Sequence, residues 1–458
     1  MVRDCLAMRQ ERRRRSKGLK ISLSNYRCFA RTPEIEVRPL TLVVGENSSG
    51  KSSLMAALRF GLELSASQAT SFFNVYPFDL GPYEDIVHES QFQSTAERFS
   101  ISIEKFVNLQ GPRSFPLVEQ EENGEVLVTC RFFFKSHYGD TVLSSIRLEV
   151  DGDQMDLRFA EDMTVTILYR DERFEINQPK LFSGSSAPAV SLQNSFYLLL
   201  GLRYRSEESN LNRVGIDRVE KFAGFYDAFL SDNHTVVATP PVRSVPKKVY
   251  TSASDSSLSS SEGAPHELSK IKRSDKKRWS KINKELNRFG KQSGLFNRLD
   301  VKKLTSQDSG PFQLKVTVRG RSTPIADVGY GVSQSLPIFA DLIAHKNSKS
   351  ALLLQQPEVH LHPRAQAELA TIFAEFVSHN SQGIIVAETH SDHLIDRVRI
   401  EIREGRLNPS LVNLVFLDPQ TSDVDVHQIS FDREGNLVGA PQSYREFFIR
   451  EQERVLGY

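Results

Sequence analysis

Apolar residues in this chain change period several times, and each change marks an element. In LKISLSNYRCF, Leu19, Ile21 and Leu23 recur at every second position, as in a half-buried strand, whereas residues 1–18 show no periodic apolar pattern. LTLVVGENSSGKSSLMAALRFGLEL reads as a fully buried strand, a Gly/Ser loop and a helix with Leu54, Ala57, Leu58 and Leu62 on one face. Period two returns between about Phe99 and Ile176, in FSISIEKF, VLVTCRFFF, SIRLEVDG and VTILYRDERFEI. With turn signals at ENGE and DGDQ, it predicts an antiparallel sheet. Phe222, Phe225 and Phe229 are spaced for a helix in VEKFAGFYDAFL. From Pro311 onward strand patterns alternate with helical ones, through GIIVAETHSDHLIDRVR to LVNLVFLD, and predict a parallel α/β sheet. No internal repeat is evident.

Composition shifts suggest where the chain divides. Residues 251–265 (TSASDSSLSSSEGAP) are serine-rich and read as a loop. The next stretch, 266–310, is a basic helical segment: thirteen Lys and Arg lie between Lys270 and Lys303, against Asp275, Glu285 and Asp300. Trp279, Ile282, Leu286 and Phe289 give it an apolar stripe. It is either a surface helix with a solvated basic face or a contact for nucleic acid or a partner. The expected organisation is a disordered basic extension (1–18), the first part of a lobe that carries the Gly/Ser loop (19–98), a β-rich lobe with helices (99–250), the loop, the basic segment, and a C-terminal lobe (311–458).

The charge balance, 58 basic against 57 acidic residues, excludes a globally basic nucleic-acid binder but not a local patch. At 458 residues and 39% hydrophobic content, two lobes or one domain with large insertions is expected. Cys5, Cys28 and Cys130 have no paired spacing, so neither a disulfide framework nor a cysteine zinc site is suggested. The longest apolar runs, such as FYLLLGL, are too short to span a bilayer, and no signal peptide follows the N-terminal arginines. The expected setting is cytoplasmic, without a membrane partner.

The chemistry concentrates in four places. GENSSGKS, residues Gly45, Glu46, Asn47, Ser48, Ser49, Gly50, Lys51 and Ser52, fits G-x-x-x-x-G-K-[ST] between a buried strand and a helix, the context of a phosphate-binding loop; Ser53 follows it. Its backbone N–H groups and the helix N-terminus would face the phosphates, Lys51 would reach the β/γ-phosphates, and Ser52 would ligate magnesium. ALLLQQPEVHLHP ends a buried strand on Gln355 and Gln356, with Glu358 shortly after. ETHSDHL sets Glu388, Thr389 and His390 at the end of another strand, where ligand sites of parallel sheets lie. DVGYGVSQSLPIFADLI is a glycine-bearing turn in which Ser333 is expected to cap a helix; Gln334 follows.

The order of these pieces resembles the ABC-like ATPases of the RecF, SMC and OLD (overcoming lysogenization defect) group, and above all the related bacterial AAA family ATPases. LGPYEDIVHE, PPVRSVPKKVY, GYGVSQSLPIFADL, QQPEVHLHPRAQAEL and ETHSDHLIDRVR look like family blocks in family order, over most of residues 19–458. The resemblance implies an α/β fold: a two-lobe ABC-type P-loop ATPase head with an antiparallel β region and an inserted helical segment. It implies ATP and Mg2+ as cofactors and a homodimer joined head to tail around two ATP molecules, or a higher oligomer. Ser333, with Gln334, would be the signature serine acting in trans, and His390 the switch histidine. Gln355, Gln356, Glu358, Glu388 and His390 are the catalytic candidates. An effector protein such as a nuclease, nucleic acid, and a role in antiphage defence are implied as settings.

One departure bears on activity. The family usually carries an acid where Gln355 stands, and a glutamine there would hold Mg2+ through water only weakly and cannot act as a base near neutral pH. The chain is therefore expected to be a slow or impaired ATPase, or an ATP-binding assembly scaffold with little hydrolysis. A GTPase is excluded, because NKEL at Asn283 has Leu286 where the base-reading motif needs aspartate. His360, His362, His390 and His393 fall in two separate turns, which disfavours a metal cluster. DVD at Asp423–Asp425 resembles a Toprim nuclease signature only superficially, with 33 residues after it.

Overall fold

The computed structural model describes residues 18–64, 73–89, 97–108, 125–160, 164–170, 172–177, 213–243, 246–251, 260–307, 310–346, 348–444, 446 and 453–454. The expected basic extension lies outside these residues except for Gly18. The chain forms two compact units, each built from discontinuous segments. The first comprises residues 1–37, 46–234 and 417–426, and the second 38–45, 235–416 and 427–458.

In the first unit β1 (Leu19–Tyr26), β2 (Phe29–Arg31) and β3 (Ile35–Val37) precede β4 (Leu40–Gly45), which belongs to the second. Helix α1 (Lys51–Leu62), the short pair β5 (Asn74–Val75) and β6 (Phe78–Asp79), and α2 (Tyr83–Ile86) follow. Then come β7 (Phe99–Asn108), β8 (Glu125–His137), β9 (Asp140–Val150), β10 (Asp153–Phe159), β11 (Thr164–Tyr169), β12 (Glu172–Asn177) and helix α3 (Arg213–Ser231). The sheet order is β12-β11-β10-β9-β8-β7-β1-β2, with β3 also on β1, and every pairing is antiparallel, as the period-two stretches predict. Strand alternation turns Ile21, Leu23, Ile101, Ile103, Phe132 and Phe134 inward. Phe60 of α1 meets Phe132 and Phe134 edge-on, with ring centroids 5.3 and 5.7 Å apart. A single apolar face is expected for α1, but Met55, Ala56 and Phe60 are buried as well as Leu54, Ala57, Leu58 and Leu62. A helix covered nearly all round has no polar face to set its period.

The second unit is a seven-stranded sheet in the order β13 (Thr235–Thr239), β17 (Ser350–Gln355), β18 (Ile384–Glu388), β4, β19 (Val412–Pro419), β20 (Val424–Phe431) and β21 (Leu437–Val438). The first four run parallel. Around it lie α4 (Ser260–Ser274), α5 (Lys276–Ser293), α6 (Tyr330–Ala344), α7 (Pro363–His379), α8 (Asp392–Arg403) and a small antiparallel sheet of β14 (Arg298–Lys303), β15 (Phe312–Val318) and β16 (Arg321–Pro324). Leu352, Leu354, Ile385, Ala387 and Leu42 sit in the core with Phe339 and Phe373.

Two boundaries differ from expectation. Helix α4 begins at Ser260, so the end of the serine-rich segment is helical, while 252–259 lie outside the described residues. The 266–310 segment is not helical throughout, because Leu299 and Val301 alternate with exposed or half-exposed neighbours and pair with β15 as a strand. Among the described residues no helix is long and apolar enough to cross a membrane.

Candidate functional site

Parallel register aligns the strand ends of the second unit. Gln355 of β17 pairs with Glu388 of β18, and Glu388 with Val43 of β4, two residues before the loop opens at Gly45. Glu388 thus stands on the strand next to the loop strand, and Gln355 one strand further. Apart from Thr41 and Ser350 these strands are apolar until their last residue, so the core fixes their positions and leaves the chemistry at their C-terminal ends.

In the loop, Ser48 has φ of 62° and Gly50 φ of 90°, so the backbone turns through the left-handed region twice. A Cβ at Gly50 would lie 2.4 Å from Cys28 Sγ and 3.0 Å from Phe29 Cζ, so only glycine lets α1 start this close to β2. Lys51 is buried, and its ammonium donates to the Glu46 carbonyl inside the loop. Ser49 is buried, and its Oγ has no partner among the described residues. Glu46, Asn47 and Ser52 are exposed, while Ser53 is buried and its Oγ accepts from Arg27 Nε. A buried ammonium on a carbonyl, beside an unsatisfied hydroxyl at a helix N-terminus, suits an anion with several oxygens, as ATP phosphates are.

The turn after β17 is tightly made. Gln356 (φ 43°) and His360 (φ 66°) are left-handed without being glycine, a strain typical of functional turns. The Gln356 amide donates to the Glu388 carbonyl at 3.0 Å, and its Nε2 lies 3.5 Å from Glu388 Oε1. Glu358 Oε1 accepts from the His390 amide at 2.7 Å, while Oε2 is buried without a partner among the described residues. Burial pushes the Glu358 carboxyl up, against hydrogen bonds that hold it down. Gln355 is buried too, and its Oε1 lacks a partner among the described residues. The His390 residue is exposed. His362 caps α7, accepting from Arg364 N.

Ser333 does not cap its helix. Helix α6 starts three residues earlier with Gly329 at the cap, so Ser333 lies in the first turns, buried, with Oγ donating to the Tyr330 carbonyl. Gln334 is buried and its Nε2 is unsatisfied among the described residues. Asp423, of the DVD stretch, accepts from the amides of Ala30 and Val424 at 2.8 Å each, a structural use.

Sequence reasoning singled out the PPVR block but not the role of its arginine. Arg243 is buried and donates to the carbonyls of Gln334 (3.4 Å), Gln355 (3.3 Å) and Gln356 (3.1 Å). Burial pushes its guanidinium down to about 10, with the Glu358 charge acting the other way. Its one signal is an arginine flanked by Pro240, Pro241 and Pro246 after a strand; the three carbonyls come from distant segments.

Comparison with known proteins adds a family. No curated protein matches the chain. Among solved structures it is similar to the SMC head bound to the C-terminal winged-helix domain of ScpA (13% identity, 90% of this chain and 98% of that one, TM-score 0.39). Others are the SMC head domain from Thermotoga maritima (11%, 89% and 97%, 0.39) and an Smc head with an extended coiled coil bound to the C-terminal domain of ScpA, derived from Pyrococcus furiosus (13%, 95% and 98%, 0.43). The family model described as AAA ATPase domain matches residues 19–183 and 231–395, well over half of the chain. With its phosphate-loop sequence and aligned strand ends, this chain belongs to the AAA ATPase domain family.

Proposed function

We propose that this chain binds magnesium-ATP through Gly45–Ser52, hydrolyses it slowly, and uses the bound state to assemble head to tail with a second copy and to act on an effector protein or nucleic acid, in a setting such as antiphage defence. The observation that carries this reading is the register setting Gln355 and Glu388 level with Val43, two residues before the loop strand ends. Lys51 would neutralise phosphate charge, and Ser52 would ligate the metal. Magnesium would supply charge neutralisation at the phosphates. Glu388 and Glu358 are the only carboxylates among the catalytic candidates. The raised Glu358 fits a group that holds its proton longer than an exposed glutamate.

Lys51→Ala is expected to weaken ATP binding at least about tenfold, or about 1.4 kcal/mol. Unchanged affinity in a direct titration would sink the reading. A second reading, an ATP-dependent scaffold with hardly any hydrolysis, is favoured by the buried amide at Gln355 where an acid is expected. Steady-state turnover measured with and without DNA separates the two.

A further inference from the structure

We infer that Arg243 is a positioning residue that ties the first turns of α6, which carry Ser333 and Gln334, to the turn that carries Gln355, Gln356 and Glu358. What moves one then moves the other. All of these residues lie in the second unit. The inference deepens the ATPase reading and rests on it.

Three observations carry it. One buried guanidinium spans the Gln334 carbonyl on one side and the Gln355 and Gln356 carbonyls on the other, a planar fork whose partners are 21 residues apart in sequence at the closest. The same segments touch again. A Cβ on Gly331 would lie 2.8 Å from the His360 carbonyl, and the Tyr330 and His360 rings meet edge-on at 5.3 Å. Finally, the junction is incompletely bonded: Arg243 Nε, Gln334 Nε2, Gln355 Oε1 and Glu358 Oε2 are buried donors and acceptors with no partner among the described residues. Buried polar groups are normally satisfied, so two donors and two acceptors left over in one neighbourhood mark a network that has a second arrangement or takes up water.

Helix α6 has a place to bend. Pro337 lacks the N–H that the Ser333 carbonyl would accept, so the turns before it are loosely joined to the rest of the helix. Ser333 is buried with its hydroxyl on Tyr330, so reaching a phosphate on a second copy requires those turns to shift. Through Arg243 such a shift pulls on the carbonyls of Gln355 and Gln356. Engagement of the partner and setting of the catalytic turn become one event.

The test measures direct ATP affinity, turnover in native and Gln355→Glu backgrounds, and ATP-driven self-association for Arg243→Lys, Arg243→Met and Gly331→Ala. ATP affinity is expected to stay within about threefold, because the loop is untouched, while turnover and assembly both fall at least about tenfold. Lysine should not rescue, since one ammonium cannot reproduce the fork. The Arg243→Lys, Gly331→Ala double variant should lose no more than the worse single one, as expected for one shared linkage. Wild-type turnover and assembly in folded Arg243→Lys overturns the inference, as does rescue by lysine or full additivity. If Arg243→Met does not fold, Gly331→Ala decides: the same split between affinity and turnover supports the linkage, and native turnover overturns it. Lys51→Ala separates this from the parent reading. If it still binds ATP, the ATPase reading falls and the linkage with it. If it loses ATP while the Arg243 variants behave as native, only the linkage falls.

Discussion

At the residue scale, Gln355 is the group proposed to limit ATP turnover. Glutamine matches glutamate in size and keeps one acceptor oxygen, but near neutral pH it takes no proton and anchors a hydrated cation weakly. Loss of a general base costs about a hundredfold to ten-thousandfold in rate. Gln355→Glu is therefore expected to raise ATP turnover at least about tenfold with little change in affinity. No rise moves the role to Glu358 or Glu388, the next residues to replace. Asp341 makes a second prediction. Its carboxyl is buried in α6, Oδ2 has no partner among the described residues, and burial, then the Glu267 charge, pushes it well above the usual carboxylate range. The folded state then holds this proton at pH values where the unfolded chain has lost it, so this group's contribution to stability falls as pH rises above about 4. Asp341→Asn should leave the unfolding free energy unchanged near that pH and raise it increasingly toward pH 8, by an amount on the order of 1–3 kcal/mol. A gain that is the same at all pH values would contradict the assignment.

At the scale of elements, α5 separates two kinds of surface. Ile282, Leu286 and Phe289 are buried, Asp275 caps the N-terminus by accepting from Arg278 N, and Gly294 ends the helix at φ of 76°. Lys277, Lys281, Lys284, Arg288 and Lys291 recur every three or four residues on the exposed side, a stripe about 21 Å long. Arg288 pairs with Glu375, but among the described residues no ion pair engages the four lysines. If the stripe binds nucleic acid, affinity should fall steeply with salt as counterions are released, and glutamate at Lys276, Lys277 and Arg278 should abolish it. Binding that ignores ionic strength would favour a solvated face. This helix was legible because one side faces water and the other the core, so its pattern has a period. Helix α1 shows a face in Leu54, Ala57, Leu58 and Leu62, but it is buried on nearly every side, so that face understates how much of it is covered.

For the whole molecule, the prediction is that ATP promotes self-association, because Ser333 has a phosphate to contact only if a second copy supplies it. Light scattering should show a larger species with ATP, and Ser333→Arg should prevent it. An unchanged monomer with ATP, together with no effect of Ser333→Arg, would remove the basis for a head-to-tail arrangement. The chain by itself determined the phosphate loop, the antiparallel stretch from Phe99 to Ile176 and the parallel strands ending at Gln355 and Glu388. In each, the signal lies within a few residues: a glycine pattern, a period of two, an apolar run closed by a polar residue. Tertiary structure decided that β18 stands between β17 and β4, that Ser333 is buried one turn inside its helix, and that Arg243 gathers three carbonyls. Strand order, burial and the partners of a buried guanidinium are set by which segments far apart in sequence pack together, and local residue patterns carry little record of that choice.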